Sequence, residues 1–378
     1  MGKCGEGLEG KSLMKEWKSP FNSFNSLKAL LYKDQFDAVL GGKFLPPIEA
    51  SLDPIHKCNL LCEHCNAHRY LVDGNLKYNR MPDQHLLNLV EFLGKWGVKA
   101  ICFGGGGEPT LHTKLPEAID LTRKVGMEAS VATNGTLFTD RIISSLTSCR
   151  WVGVSIDSAT PETYRIGRKQ DLFNVAIKNI SLLQESVRNH TSYCEVAYKF
   201  LIMPYNQHEI YQACKLAREL GVRDFHVRPA DFRHQGMGVL IKTNNEYRLE
   251  HIKEQFEKCH SLETKDFRVF TVMHKFTEDF LPCKDFSQCL ASPLCIQLCA
   301  DGNTYFCVDQ RHQPDYLLGT HYPEPENILK FWGKENHQRL VFGDTPKKCG
   351  TRCTFGFYSR MAEEVFAGGK DPFCKNFI

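Results

Sequence analysis

The sequence predicts an α/β protein: a partial (β/α)6 TIM-like barrel followed by a small α+β domain that contains a hairpin. Three observations support this prediction. Short apolar runs alternate with amphipathic segments over the first two thirds of the chain, polar motifs directly follow most of those runs, and a cluster of cysteines occupies the last third. Such alternation is typical of a parallel sheet with right-handed helical crossovers.

Six short apolar runs bounded by polar residues are predicted to be strands. They lie at 48–53, 100–103, 128–133, 151–156, 195–202 and 224–227. The amphipathic segments between them predict helices at 83–96, 112–125, 139–146, 172–187 and 207–220. Six βα units form an open barrel rather than the closed barrel of eight, and in such folds ligands gather at the carboxyl ends of the strands.

The same elements predict the division of the chain into domains. The barrel occupies residues 48–235, after a helical extension at 1–47 with one helix, at 26–40, that ends before Gly41 and Gly42. A helical linker is expected at 236–280, and the small hairpin-containing domain at 281–378.

Composition excludes several classes of partner. The 47 Lys and Arg residues nearly balance the 44 Asp and Glu residues, and the basic residues are scattered, so neither a nucleic acid nor a membrane surface is expected as partner. No apolar run approaches the roughly 18 residues of a spanning helix, and the N-terminus lacks the charged-then-apolar order of a signal peptide. We expect a soluble cytoplasmic protein whose 17 cysteines are reduced thiols and metal ligands.

Cys58, Cys62 and Cys65, spaced C-x3-C-x2-C, follow the first predicted strand. Three thiolates can bind three corners of a four-iron cluster and leave its fourth iron without a protein ligand. Taken alone, this spacing also suits a structural zinc or cluster site.

Further polar motifs follow the other predicted strands. They are GGGGEP at 104–109 after the second, TNG at 133–135 after the third, SIDS at 155–158 after the fourth, and Arg228-Pro229 after the sixth. Since the carboxyl ends of parallel strands meet at one edge of the barrel, we expect these motifs to surround a single site.

In this order the motifs resemble those of the radical S-adenosylmethionine (SAM) superfamily, over roughly residues 48–230. The resemblance implies a [4Fe-4S] cluster on the three cysteines, with SAM bound at the open iron and cleaved by an electron from the cluster to a 5′-deoxyadenosyl radical. A flavodoxin or ferredoxin-type reductant is then expected. The implied SAM-contacting residues are Gly106, Gly107, Glu108, Asn134, Ser155 and Arg168. Arg165 is a rival to Arg168, and His64 stands where the family usually has an aromatic residue.

The second group of cysteines begins with Cys289-x12-Gly302-x4-Cys307, which frames a predicted hairpin, and continues with Cys349-x3-Cys353. This order resembles the C-terminal SPASM or shorter twitch extension of radical SAM enzymes, although the last pair is more often spaced x2. The resemblance implies one auxiliary [4Fe-4S] cluster on these four cysteines, for electron transfer or for a structural role. The competing ligands are Cys283, Cys295, Cys299 and Cys374; the middle two are expected to pack in the first hairpin arm.

The substrate is the least specified part of the prediction. Only residues 1–47 precede the first strand, which disfavours a module that grips a leader peptide, so we expect oxidation or epimerisation of a small polar metabolite such as a sugar, aminocyclitol or nucleoside. Asp231 and His234, after the sixth strand, are candidates for proton transfer, or part of a solvated loop. The alternatives are a peptide-modifying radical SAM maturase and a non-catalytic iron–sulfur binding or sensor protein.

Overall fold

Ten strands run through the part of the chain that the structure describes. This computed structural model describes residues 26–62, 64, 65, 67, 71, 80–230, 246–273, 276, 284–349 and 353–367. The strands are β1 Glu49–Leu52, β2 Ala100–Phe103, β3 Glu128–Thr133, β4 Trp151–Ser155, β5 Glu195–Ile202, β6 Asp224–Pro229, β7 Arg268–Thr271, β8 Cys295–Leu298, β9 Asn303–Tyr305 and β10 Leu317–Thr320.

Helices connect most of these strands. They are α1 Lys33–Leu40, α2 Asp83–Trp96, α3 Leu115–Lys124, α4 Asp140–Leu146, α5 Pro161–Arg168, α6 Phe173–Asn189, α7 Ile210–Glu219, α8 Leu249–His260, α9 Ile328–Phe331, α10 Glu335–Phe342, α11 Thr345–Lys348 and α12 Gly356–Met361. In the described residues no helix is long and apolar enough to cross a membrane.

All ten strands belong to one sheet, in the order β10-β9-β8-β1-β2-β3-β4-β5-β6-β7. Neighbours from β1 to β7 pair in parallel, as predicted for the barrel. Strand β8 returns beside β1, parallel to it, with Cys295 opposite Glu49. The predicted hairpin is formed by β8 and β9 and turns at Gly302, whose φ of +85° favours glycine. The hairpin therefore extends the barrel sheet.

Between β1 and β7 the parallel sheet has one strand more than the six predicted. Residues 236–280 were expected to be a helical linker, but they contain β7 as well as α8. The four residues of β7 form too short a run to stand out in the sequence. Its place is fixed by a partner far along the chain, because Arg268 Nε donates to Asp224 Oδ1 of β6 over 2.6 Å.

Two local differences concern helices. The segment predicted as one helix at 26–40 starts as a 3-10 helix, Ser26–Tyr32, before α1. Helix α5 was not predicted, although its sequence carries standard start features: Thr160 caps it by accepting from Thr163 N over 3.3 Å, and Pro161 occupies its first turn.

Alternation along the strands separates two faces of the sheet. One face buries apolar side chains such as Phe103, Val131 and Val154 against the helices. The other, here called the inner face, carries half-buried polar side chains that include Ser155, Lys199 and Arg228. A parallel sheet with helices on its outer face leaves this inner face and the carboxyl ends of the strands for ligands.

Candidate functional site

The loop after β1 carries the three cysteines of the predicted cluster. Cys62 is buried, and Cys58 and Cys65 are half-buried. Burial raises the pKa of Cys58 to about 11 and that of Cys65 to about 12, so a bound cation would be needed to ionise them at neutral pH. Leu60 N donates to Cys58 Sγ, and Arg168 Nη1 donates to Cys62 Sγ, each over 3.4 Å. Thiols with such donors fit an iron–sulfur cluster.

The spacing of these sulfurs also bears on a single zinc ion as the alternative. Among the residues that the structure describes, one group of three ligand atoms lies within 4.8 Å of one another, and it contains none of the three cysteines. A tetrahedral zinc ion holds its ligand atoms closer together than that. The three cysteines therefore do not form such a ready group for one ion, and their C-x3-C-x2-C spacing fits three corners of a four-iron cluster.

Glu108 joins the turn after β2 to the turn after β3. Its buried carboxylate accepts hydrogen bonds from Thr110 N at 3.1 Å, Thr110 Oγ1 at 2.5 Å, Thr133 Oγ1 at 2.6 Å and Asn134 N at 2.7 Å. Burial raises the pKa of Glu108, although these donors oppose the shift. Asn134 Nδ2 in turn donates to Asn59 Oδ1 of the cluster loop over 2.8 Å. Glu108 and Asn134, both predicted to contact SAM, are therefore hydrogen-bonded to each other, and Asn134 is also bonded to the cluster loop.

Gly106 and Gly107 let the turn after β2 pack directly on the cluster loop. A Cβ added at Gly107 would lie 2.5 Å from the carbonyl oxygens of Ile55 and Lys57, and one added at Gly106 would lie 2.7 Å from His56 Cδ2. Contacts this short are not tolerated by real side chains. Gly107 is therefore required by the close approach of the cluster-loop backbone, and Gly106 by the close approach of the His56 ring.

Arg168 lies beside the cluster loop, whereas its rival Arg165 is exposed. Arg168 forms a buried ion pair with Asp157, and His64 Nε2 lies 3.1 Å from the same carboxylate. Asp157 has a φ of +59°, a strained conformation for a non-glycine residue that is common at functional sites. Burial alone would raise the pKa of Asp157, but Arg168 and His64 bring it below its ordinary value. The motif after β4 is thereby anchored to the cysteines.

Lys199 is the main cation on the inner face near Ser155. The two residues face each other across the β4–β5 pair. Lys199 Nζ lies 4.6 Å from the centroid of the Trp151 ring, and a Cβ added at Gly153 would come within 2.4 Å of Lys199 Cε. Burial, together with the nearby charge of Arg228, lowers the pKa of Lys199 to about 8. Two basic groups therefore face the interior, one of them titrating near neutrality.

The predicted auxiliary ligands Cys289, Cys307, Cys349 and Cys353 line one pocket under the hairpin. Asp309 N donates to Cys307 Sγ over 3.4 Å, and Gln310 Nε2 donates to Cys349 Sγ over 3.0 Å. Burial raises the pKa of Cys353 to about 12 and also raises that of Cys289 and Cys307. Four converging thiols with N–H donors fit a fully ligated four-iron cluster.

Some predicted or competing residues lie elsewhere. Asp231, His234, Cys283 and Cys374 fall outside the described residues. Cys295 and Cys299 are buried at the two ends of the β8 arm, away from the auxiliary pocket. This position is compatible with packing of Cys295 in the hairpin arm, whereas Cys299 also lies beside His56 and His312.

Sequence reasoning did not pick out Lys199, His64 and Asp157 as functional partners. Lys199 carries a signal that could have been used, since it is a lysine at an inward position of the apolar run Val196–Phe200. The pairing of His64 with Asp157 carries none, because it joins loops that are 93 positions apart.

Comparison with known proteins agrees with this geometry. Residues 52–217 match the Radical SAM superfamily. The chain is 30% identical over 131 residues to Fe-coproporphyrin III synthase of Methanosarcina barkeri, a match to 34% of this chain and 32% of that protein. It is 27% identical over 207 residues to the subtilosin biosynthesis protein AlbA of Bacillus subtilis, which covers 54% of this chain and 44% of AlbA. The chain thus spans less than half the length of these relatives.

Two solved structures share the fold. Streptococcus suis SuiB bound to S-adenosylmethionine superposes with a TM-score of 0.60 at 13% identity, covering 80% of this chain and 71% of SuiB. Native anSMEcpe with bound AdoMet gives 0.58 at 16% identity, covering 88% of this chain and 100% of that one. With the motif order and the converging cysteines, residues 52–217 form a domain of the radical SAM superfamily, whose members use a [4Fe-4S] cluster and SAM.

Proposed function

We propose that this protein is a radical SAM oxidoreductase that acts on a small, polar metabolite with anionic or hydroxyl groups and passes an electron to an auxiliary cluster. The observation that carries the proposal is the convergence of Cys289, Cys307, Cys349 and Cys353 on one pocket, in a hairpin that extends the barrel sheet. A second cluster with four thiolate ligands has no open iron, so electron transfer is its natural role.

In this proposal Cys58, Cys62 and Cys65 hold the first cluster. Bound there, the cluster and SAM would supply a 5′-deoxyadenosyl radical that takes a hydrogen atom from the substrate. A flavodoxin or ferredoxin-type protein would act as reductant. The hydrogen bond from Arg168 to Cys62 Sγ would stabilise negative charge on the sulfur.

Arg168 is also the proposed ligand of the SAM carboxylate. The terminal nitrogens of Arg168 donate to Cys62 and to Asp157. Its Nε is buried and has no acceptor among the described residues. A guanidinium offers five donors in a planar fork that matches a carboxylate. Gly106, Gly107, Asn134 and Ser155 are proposed to line the rest of the SAM site, with Glu108 holding Asn134 in place.

The inner face favours a substrate that carries negative charge or several hydroxyl groups. Lys199 and Arg228 place two cations on this face, and cations attract anionic or strongly polar groups. With a pKa near 8, Lys199 is also suited to proton transfer in an alcohol oxidation. Asp231 and His234 stay candidates for the same role.

A second candidate function is the modification of a peptide. AlbA is named for bacteriocin biosynthesis, and SuiB has been solved with its precursor peptide SuiA. The similarity to AlbA over 207 residues favours this candidate as much as the inner-face cations favour a small metabolite. Epimerisation of either substrate would need no net electron acceptor. A non-catalytic iron–sulfur protein is the remaining alternative.

The test is SAM cleavage by anaerobically reconstituted protein, with dithionite as reductant and 5′-deoxyadenosine as the measured product. We expect product from the wild type and none from Cys62→Ala. Deuterated metabolites and peptides are then compared for transfer of deuterium into 5′-deoxyadenosine. Transfer from a peptide alone would replace the metabolite proposal, and no product from protein with intact clusters would refute the enzyme assignment.

A further inference from the structure

We propose that His56, Cys299 and His312 form a third metal site, which binds a single divalent cation, best matched by zinc, between the cluster loop and the hairpin. One ligand atom of each residue lies within 4.8 Å of the other two. Within the described part of the chain this is the one such group, and it shares no residue with either proposed cluster. The proposal does not depend on the substrate or on SAM cleavage.

The donor set suits zinc. Imidazole nitrogen and thiolate sulfur are its preferred protein ligands, and three protein ligands with a fourth position for water are common. With Zn–N and Zn–S distances of about 2.0 to 2.3 Å, tetrahedral ligand atoms lie roughly 3.5 Å apart. Side-chain rotation that brings the three ligand atoms to this separation would complete the site.

The two histidines are already oriented by neighbours. Asp301 Oδ2 lies 3.1 Å from His312 Nδ1, and a carboxylate beside a ligating imidazole is the carboxylate–histidine–metal arrangement of known zinc sites. His56 Nε2 accepts a long hydrogen bond of 3.3 Å from Ala300 N, next to Cys299, and a bound ion would replace this weak contact. The two rings meet edge to face with centroids 4.5 Å apart.

The charges around the group favour a cation. Asp53 is fully buried, its Oδ2 accepts from Cys299 Sγ over 3.7 Å, and its Oδ1 has no donor among the described residues. Asp53 and Asp301 bring two negative charges, and Arg311, which donates to Asp53 Oδ2 over 2.8 Å, brings one positive charge. A divalent cation on an ionised Cys299 would add one net positive charge and neutralise the cluster of groups.

The backbone at the site supports this assignment. His312 has a φ of +58°, which is strained for a non-glycine residue. His56 precedes the first cluster cysteine by two positions, Cys299 ends the β8 arm, and His312 lies five positions after Cys307. One ion would therefore join the loop of the first cluster to the hairpin of the auxiliary pocket and fix their relative position.

The test measures zinc in full-length protein that has been purified anaerobically and reconstituted with iron and sulfide. Zinc chloride is added, weakly bound metal is removed by gel filtration, and zinc is counted by mass spectrometry. We expect about one zinc per chain in the wild type and at least a tenfold loss in Cys299→Ser and His312→Gln. The matched control is Cys295→Ser, a buried cysteine on the same strand outside the group.

X-ray absorption at the zinc edge then reports the ligands without interference from iron. We expect one sulfur and at least two nitrogen ligands. Less than a tenth of an equivalent in the wild type, equal zinc in all variants, or an all-sulfur zinc shell from occupied cluster sites would each overturn the proposal. His312→Gln keeps the test decisive if Cys299→Ser does not fold, because the glutamine amide can still donate to Asp301.

Discussion

Arg168, in the last turn of α5, forms a buried ion pair with Asp157 at the end of β4. The same guanidinium donates to Cys62 Sγ over 3.4 Å, and Asp157 Oδ1 accepts from Leu201 N over 2.7 Å. One carboxylate therefore connects the cluster loop to two strands.

Asp157→Asn should destabilise the protein by about 3 to 5 kcal/mol, because it leaves the buried Arg168 without a charged partner. Urea denaturation of the two full-length proteins, prepared identically, measures the difference. The control is Asp120→Asn, which removes an exposed pair with Arg141 and should cost at most about 1 kcal/mol. Equal effects of the two substitutions would contradict a structural role for the buried pair.

The same pair predicts a pH dependence. Because the pKa of Asp157 is lower in the folded state, its contribution is fully present above the unfolded pKa of about 3.9 and is lost as the pH falls through the folded value. The stability difference between wild type and Asp157→Asn should thus be constant from pH 7 to about 5 and shrink below about 4. A difference that grows on acidification would show that another group dominates.

Cys353→Ser should lower the iron content from about eight to about four per chain, because it removes one ligand of the auxiliary cluster. Formation of 5′-deoxyadenosine should persist, while turnover of substrate is lost. Cys194→Ser is the control, since burial likewise raises the pKa of Cys194 to about 12 but this residue lies outside the auxiliary pocket. An unchanged iron content in Cys353→Ser would remove this cysteine from the ligand set.

The parts of the fold that could be predicted depend on local pattern. Apolar runs located six parallel strands, and the polar residues after them indicated one edge of the sheet, where Glu108 and Asn134 do meet. The hairpin turn at Gly302 could also be predicted from local sequence, because a tight hairpin turn needs a residue with positive φ, which glycine adopts readily.

The parts that were missed depend on contacts distant in sequence. Arg311 reaches Asp53 across 258 positions, and Arg268 places β7 by pairing with Asp224 across 44 positions. Neither partner is marked by a local motif, because a buried charge can be paired from any loop that the fold brings near. Parallel pairing of β8 with β1 is likewise a property of the whole chain.

Glu108→Gln should destabilise the protein by about 1 to 3 kcal/mol, because one carboxylate oxygen becomes an amide that cannot accept. The substituted side chain would face four donors, two of them backbone N–H groups that cannot reverse direction. Thermal unfolding measures the loss, and Glu117→Gln in the exposed Lys114 pair serves as control. A loss no larger than that of the control would mean that the two turns do not depend on this carboxylate.

Lys199 gives the sharpest prediction about substrate. If its ammonium group binds an anion, kcat/KM should fall as the pH rises through about 8, the pH at which Lys199 loses its proton. Lys199→Met should remove that step and raise KM by about tenfold to a hundredfold, the cost of a charge-assisted hydrogen bond. The control is Lys215→Met, an exposed lysine over Tyr211 on α7. If Lys199 instead accepts a proton during oxidation, activity should rise through the same pH, so the direction of the profile distinguishes binding from base catalysis.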